Sequence, residues 1–267
     1  MTRVDEVLAQ ARAEGRAALV GYLPVGCPSV PESIEAMVSM VEAGVDIVEV
    51  GMPYTDPLMD GPVIQDAATR ALENGVHITD VFKAVEAVTA AGGAAVVMIY
   101  WNLVLHYGVE KFARDLKAAG GSGLITPDLV PDEAQEWLDA SAAHDLNRIF
   151  LIAPSSSPER IAYATEASSG FVYATAVMGV TGMRESLGNH AKELLERARP
   201  FTDLPICVGI GVSTPDQAAQ VAQFADGVIV GTALVRTLLE NDVQADRLEA
   251  LRSLSAQLAA GVRRGHS

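Results

Sequence analysis

The chain has 267 residues, 49% of them hydrophobic, enough for a sizeable core in one large α/β barrel or in two smaller domains. Its 19 Lys plus Arg against 34 Asp plus Glu give a formal charge of -15, which disfavours nucleic-acid binding by bulk electrostatics but leaves open a small anion held by backbone amides. No apolar run nears the roughly 20 residues that cross a membrane, and the first stretch, "MTRVDEVLAQARAEGR", lacks the apolar core of a signal peptide, so the sequence reads as a soluble cytoplasmic protein.

In chain order, residues 2–14 read as a helix ahead of the first strand. Eight short β-branched runs follow: "AALVGY" (17–22), "DIVEVG" (46–51), "AAVVMIY" (94–100), "GLIT" (123–126), "RIFLIA" (148–153), "GFVYAT" (170–175), "PICVGI" (205–210) and "GVIVG" (227–231). The Ala/Leu/Glu-rich stretches between them have helical period, and many open on Pro, Ser, Thr or Asp and close on Gly, as capped helices do. "QADRLEALRSLSAQLAAGV" is the last helix, and "RRGHS" reads as a frayed tail. Eight strands apolar on both faces, each followed by a helix, predict a (β/α)8 TIM barrel with an extra N-terminal helix. No linker or low-complexity tract interrupts the pattern, so residues 1–267 are assigned to a single barrel domain. Cys27 and Cys207 show no ligand spacing and read as free thiols of a reducing compartment. The five histidines share no spacing either, so no metal site is expected.

A barrel of this kind places its chemistry at the C-terminal strand ends and in the loops that follow them. The stretch "VEVGMPYTDPLMDGPVIQ" (48–65) puts a carboxylate inside such a strand. Period two sets Ile47, Glu49 and Gly51 on one face and Val48 and Val50 on the other, so if the valines meet the helices, Glu49 points into the barrel mouth. Desolvation there raises its pKa towards the range of a general acid/base, the alternative being a Glu satisfied by local hydrogen bonds. Asp60 stands before "GPVIQDAATRALENG" and suits a helix cap or a catalyst equally well, while Asp56 before Pro57 reads as a turn residue. Glycines follow the last three strands in "MGVTG" (178–182), "VGIGVST" (208–214) and "VGTALV" (230–235). Each alone fits a tight turn; together they fit a phosphate site, with "GTALVRTLLE" supplying a short helix behind Gly231 and Thr232. "GIGVST" is a weak match to a dinucleotide fingerprint. Tyr22, Tyr100 and Tyr173 sit at or near strand ends, as core packing or as walls of an aromatic pocket. No G-x-S-x-G elbow occurs, and no acids close strands seven and eight as a glycosidase pair.

"VEVGMPYTDPLMDGPVIQ", "YWNLVLHYGVEKF", "GLITPDLVPDE", "GFVYATAVMGVTGMR", "VGIGVSTPDQ" and "ADGVIVGTALV" resemble, in the same order, the signature segments of the tryptophan synthase α subunit family. The resemblance spans almost the whole chain. It implies an aldol-type lyase of tryptophan biosynthesis that cleaves indole-3-glycerol phosphate to indole and D-glyceraldehyde 3-phosphate. It also implies a β subunit as partner in an α2β2 heterotetramer, with pyridoxal phosphate in the β subunit and no cofactor in this chain. Carried over by position, the catalytic pair falls on Glu49 and Asp60, which moves Asp60 from cap towards catalyst. Substrate contacts fall on Tyr22, Tyr100, Tyr173, Thr181 and Ile210, and phosphate contacts on Gly182, Gly211, Gly231 and Thr232. Residues 179–189 are expected to form a loop that closes over the site. Ser122, Ala176, Ile210 and Thr232 depart from the family pattern, which implies an altered pocket shape; Ile210 lacks the ring that would flank the indole, and Thr232 keeps a hydroxyl and an N–H for phosphate. Two rival readings are a subunit kept chiefly to activate its β partner and another phosphosugar barrel such as an isomerase. The second explains the glycine loops but not the block from Glu49 to Asp60.

Overall fold

The β-branched runs form parallel strands: β1 (Ala18–Pro24), β2 (Ile47–Gly51), β3 (Ala94–Met98), β4 (Gly123–Ile125), β5 (Asn147–Ile149), β6 (Leu151–Ile152), β7 (Val172–Thr175), β8 (Ile206–Gly209) and β9 (Gly227–Val230). The computed structural model of the chain describes residues 1–175 and 184–265, with the backbone alone at 184–187. The hydrogen-bonded order is β5-β4-β3-β2-β1-β9-β8-β7-β6. Its two ends are chain neighbours separated only by Phe150, so the fifth run pairs with β4 on one side and β7 on the other and closes a barrel. Eight runs thus become nine segments. At the break, the Phe150 N–H points to the Ser168 hydroxyl at 3.4 Å, while its carbonyl accepts from Tyr173 N at 3.1 Å.

Alternation along the strands divides the core. Ala18, Val20, Ile47, Ala94, Val96, Ile125, Ile149, Cys207 and Ile229 pack together inside the barrel. Val48, Val50, Ala95, Val97 and Val208 face the helices instead. Because both faces are covered, every residue of β1, β2, β4 and β9 is buried, which is why these runs read as continuously apolar.

The N-terminal helix, Arg3–Ala13, closes the barrel floor with Val4, Leu8 and Ala11. Thr2 caps it in a capping box with Asp5. Asn147, at the start of β5, donates to Thr2 Oγ1 (2.8 Å) and Asp5 Oδ1 (3.1 Å), and Val4 N donates to Ser122 Oγ at 3.3 Å. This corrects the reading of Ser122 as a residue that shapes the pocket: it stands before β4, at the floor, and holds the helix there. Two further boundaries differ from expectation. Helix Trp101–Tyr107 is separated from β3 by two residues, where the strand was expected to run to residue 100, and residues 184–189 of the expected loop belong to helix Arg184–Ala198, while residues 179–183 lie outside the described residues.

Candidate active site

Glu49 sits in the middle of β2, with Tyr22 of β1 and Val96 of β3 as its lateral neighbours. It shares its face with Ile47, a barrel-interior residue, so its side chain points inward, as the alternation requires. Only 1% of it is exposed, and its Oε2 is buried with no hydrogen-bond partner among the described residues. Burial, followed by the charge of Asp60, pushes its pKa up to about 8. A buried carboxyl oxygen with no partner and a pKa near neutrality is poised to exchange a proton with something that enters the barrel. The alternative of a Glu satisfied locally loses its footing at that oxygen.

Asp60 ends the loop after β2. Helix Pro62–Glu73 is capped by Gly61, with Pro62 at its first position and no side-chain cap, so Asp60 is not the helix cap that its sequence position allows. Its backbone carbonyl accepts from Gln65 Nε2 at 2.7 Å, and burial raises its carboxyl pKa. Asp60 lies near enough to raise the pKa of Tyr22, Glu49, Tyr100 and Tyr173 by its charge, which places these five groups at one mouth. Burial raises both carboxyls, and the charge of Asp60 adds to the rise at Glu49, so the two titrations are coupled. Asp56 lies exposed in a bend, where its carboxylate accepts the Thr55 hydroxyl at 2.6 Å.

The tyrosines are seated on glycines. The Tyr22 ring covers Gly51, where a Cβ would lie 2.5 Å from its hydroxyl, and its Cδ1 would lie 3.4 Å from a Cβ at Gly231. Tyr173 similarly covers Gly209, with its hydroxyl 2.8 Å from where a Cβ would be. Both hydroxyls are buried, which raises their pKa well above the ordinary value. Tyr100 follows β3 and is 5% exposed; its hydroxyl accepts from Leu58 N (2.8 Å) and Met59 N (3.4 Å), and its ring stacks on Tyr54 with centroids 4.6 Å apart. Sequence reasoning passed over Tyr54 and did not read Gly51 and Gly209 as seats for aromatic rings. A glycine closing a strand carries no mark that a neighbour's ring will lie on it.

Ile210, 9% exposed, ends the segment after β8, and Gly211 takes a φ of +77°, which a tight turn requires. Next to it in the barrel, β9 leads through Gly231 into helix Thr232–Leu239, whose N-terminus has no side-chain cap. Two of the glycine-bearing loops therefore meet at adjacent strand ends, with N–H groups and the positive helix end available to an anion. The third falls outside the described residues, as do Ala176, Thr181 and Gly182. Among the described residues no group of three or more His, Cys, Asp or Glu is placed to hold a metal, and no helix is long and apolar enough to cross a membrane.

A family model described as tryptophan synthase alpha chain matches residues 8–263. The tryptophan synthase alpha chain of Mycobacterium tuberculosis (strain ATCC 25618 / H37Rv) is 58% identical over 266 residues, covering 100% of this chain and 96% of that one. That of Mycobacterium avium (strain 104) is 57% identical over 262 residues, covering 98% and 95%. Among solved structures, Mycobacterium tuberculosis tryptophan synthase in space group F222 superimposes with a TM-score of 0.91 at 58% identity, over 98% of each chain. Tryptophan synthase subunit alpha from Legionella pneumophila str. Paris gives 0.88 at 32% identity, again over 98% of each chain. The barrel thus persists where two thirds of the residues differ.

Proposed function

The chain belongs to the tryptophan synthase alpha chain family, and from that premise we propose that Glu49 is the acid/base and Asp60 the charge-stabilising carboxylate of its reaction. The reaction is the cleavage of indole-3-glycerol phosphate to indole and D-glyceraldehyde 3-phosphate in L-tryptophan biosynthesis, and the partner is the β subunit. The observation that carries the assignment is the inward carboxyl of Glu49, with a pKa near 8 and an Oε2 that no described residue satisfies.

One carboxyl group suffices for both proton transfers. Protonated Glu49 delivers its proton to indole C3, forming an indolenine whose positive charge is shared with the ring nitrogen. The carboxylate left behind then takes the proton of the adjacent glycerol hydroxyl. As that carbonyl forms, the bond from C3 to the side chain breaks and its electron pair returns to the ring. Glu49 ends protonated, as it began. Asp60, ionised beside it, accepts the indole N–H and stabilises the charge developing there, an effect of about 3 kcal/mol in comparable sites.

Tyr22, Tyr100, Tyr173 and Ile210 wall the indole pocket, with Thr181 completing it, and Gly182, Gly211, Gly231 and Thr232 hold the phosphate through backbone N–H groups. We assign no cofactor to this chain; pyridoxal phosphate chemistry falls to the β subunit. The apolar residues Leu58 (80% exposed), Leu105 (50%), Met59 and Val130 follow β2, β3 and β4 on the mouth face and suit it for docking β in an α2β2 heterotetramer. Residues 1–267 make one barrel domain in this reading, working in the cytoplasm.

The test is indole release from indole-3-glycerol phosphate by the purified chain, with and without a β subunit. Slow release alone and faster release in the complex are expected, since docking favours the competent loop arrangement. Glu49→Gln should lower turnover about a thousandfold while leaving substrate affinity within about threefold. Wild-type turnover in that variant would refute the acid/base role, and a chain that binds β yet never releases indole would be an activator only.

A further inference from the structure

The loop that delivers Asp60, residues 52–61, is irregular, and hydrogen bonds hold it at its start, its middle and its end. Met52 N donates to Met98 O on β3 at 2.9 Å, fixing its start. Gln65 Nε2 donates to Asp60 O at 2.7 Å, fixing its end. Between them, the N–H groups of Leu58 and Met59, just before Asp60, converge on the hydroxyl of Tyr100 at 2.8 and 3.4 Å. That hydroxyl is the only side-chain acceptor among the described residues for the backbone N–H groups of this loop. The Tyr100 ring is fixed in turn: it is 5% exposed, stacks on Tyr54 of the same loop at an interplanar angle of 21°, and stands at the N-cap of helix Trp101–Tyr107. Ring and hydroxyl therefore grip the loop at two points, four residues apart. Burial and, after it, the charge of Asp60 raise the Tyr100 pKa, so the carboxylate held in this way is near enough for its charge to reach its holder.

We infer that Tyr100 is a positioning residue for the cleavage reaction: its hydroxyl sets the main chain at Leu58 and Met59 and thereby the place of the Asp60 carboxylate. The ring walls the pocket, while the hydroxyl faces the loop. This rests on the reading that Asp60 acts in the reaction. A carboxylate that stabilises a developing charge must be fixed to within about half an ångström, and an irregular loop does not supply that without such anchors.

Tyr100→Phe keeps the ring and removes only the acceptor. In the complex with a β subunit, kcat for indole release should fall about tenfold while KM stays within about twofold. Amide hydrogen exchange of residues 52–61 should accelerate at Leu58 and Met59. A substrate contact through the hydroxyl would instead raise KM with kcat retained, and unchanged kcat with unchanged exchange would show that the loop does not need it; either overturns the inference. If Tyr100→Phe fails to fold, Tyr54→Leu, which removes the stack alone, should lower kcat in the same direction, and wild-type kcat there overturns the inference too. Asp60→Asn is measured alongside. Wild-type turnover in Asp60→Asn refutes the role of Asp60 itself, whereas loss in Asp60→Asn with none in Tyr100→Phe refutes only the positioning.

Discussion

Burying Glu49 makes its ionisation costly, and the cost follows pH. Its pKa moves from 4.5 to about 8, so between those values the folded chain keeps a proton that the unfolded chain has released. Stability from this group is then complete below pH 4.5 and is lost as pH rises through about 8. Glu49→Gln has nothing to ionise, so it should exceed the parent by about 4 kcal/mol near pH 8, a gap that closes towards pH 4.5 in urea unfolding. Parallel stability profiles for the two chains would rule out the raised pKa. Turnover follows the same proton, since the donor to indole C3 is the protonated form, and kcat/KM should decline above about pH 8. Inward placement of Glu49 was legible because a strand alternates strictly. Asp60 was not, because an Asp before Gly-Pro suits a cap and a site alike, and only the fold shows Gly61 in the capping place.

Strands β2 and β9 each begin behind an aspartate that serves the neighbouring strand. Asp46 Oδ2 accepts Leu19 N of β1 at 2.8 Å, and its two oxygens take a bidentate pair from Arg16 at 2.9 Å each. Asp226 Oδ2 likewise accepts Ile206 N of β8 at 2.8 Å, together with a single guanidinium N–H of Arg199. "VDIVEV" and "ADGVIV" look alike for this reason, yet neither sequence names its arginine, which arrives from another element. Asp46→Ala would leave the Leu19 N–H without its side-chain acceptor and an Arg16 guanidinium of 13% exposure with only Glu14 and the Ala17 carbonyl, and should cost about 2 kcal/mol. Asp66→Ala, which breaks the exposed pair with Arg70, should cost under about 0.5 kcal/mol. Thermal or urea unfolding of both variants decides; equal losses would refute the distinction by burial. The break of the fifth run at Phe150 was equally hidden, because "RIFLIA" has the composition of one strand and the Phe150 N–H turns to Ser168, eighteen residues away.

Across the whole molecule the barrel keeps stability and chemistry at opposite ends. Helix Arg3–Ala13 fills the floor, where Ser122 and Asn147 fasten it; Glu49, Asp60 and the tyrosines occupy the mouth. Strand count, helix period and the N-terminal helix predicted the barrel, because each strand must be apolar on both faces. They could not show that Ser122 belongs to the floor, since its partner, Val4, lies 118 residues away. The division can be tested at Asn147, which is 5% exposed and donates to both Thr2 and Asp5. Asn147→Ala removes its bonds to Thr2 Oγ1, which keeps Asp5 N, and to Asp5 Oδ1, and should lower stability by about 1 kcal/mol, with kcat and KM for indole release within about twofold of the parent. The strands between floor and mouth are short and hydrogen-bonded on both sides, so a lost bond at one end has no soft element through which to displace Glu49. Turnover that fell with stability in this variant would mean that the strands transmit the floor's disorder to the mouth, and that the helix is part of the catalytic framework rather than a plug.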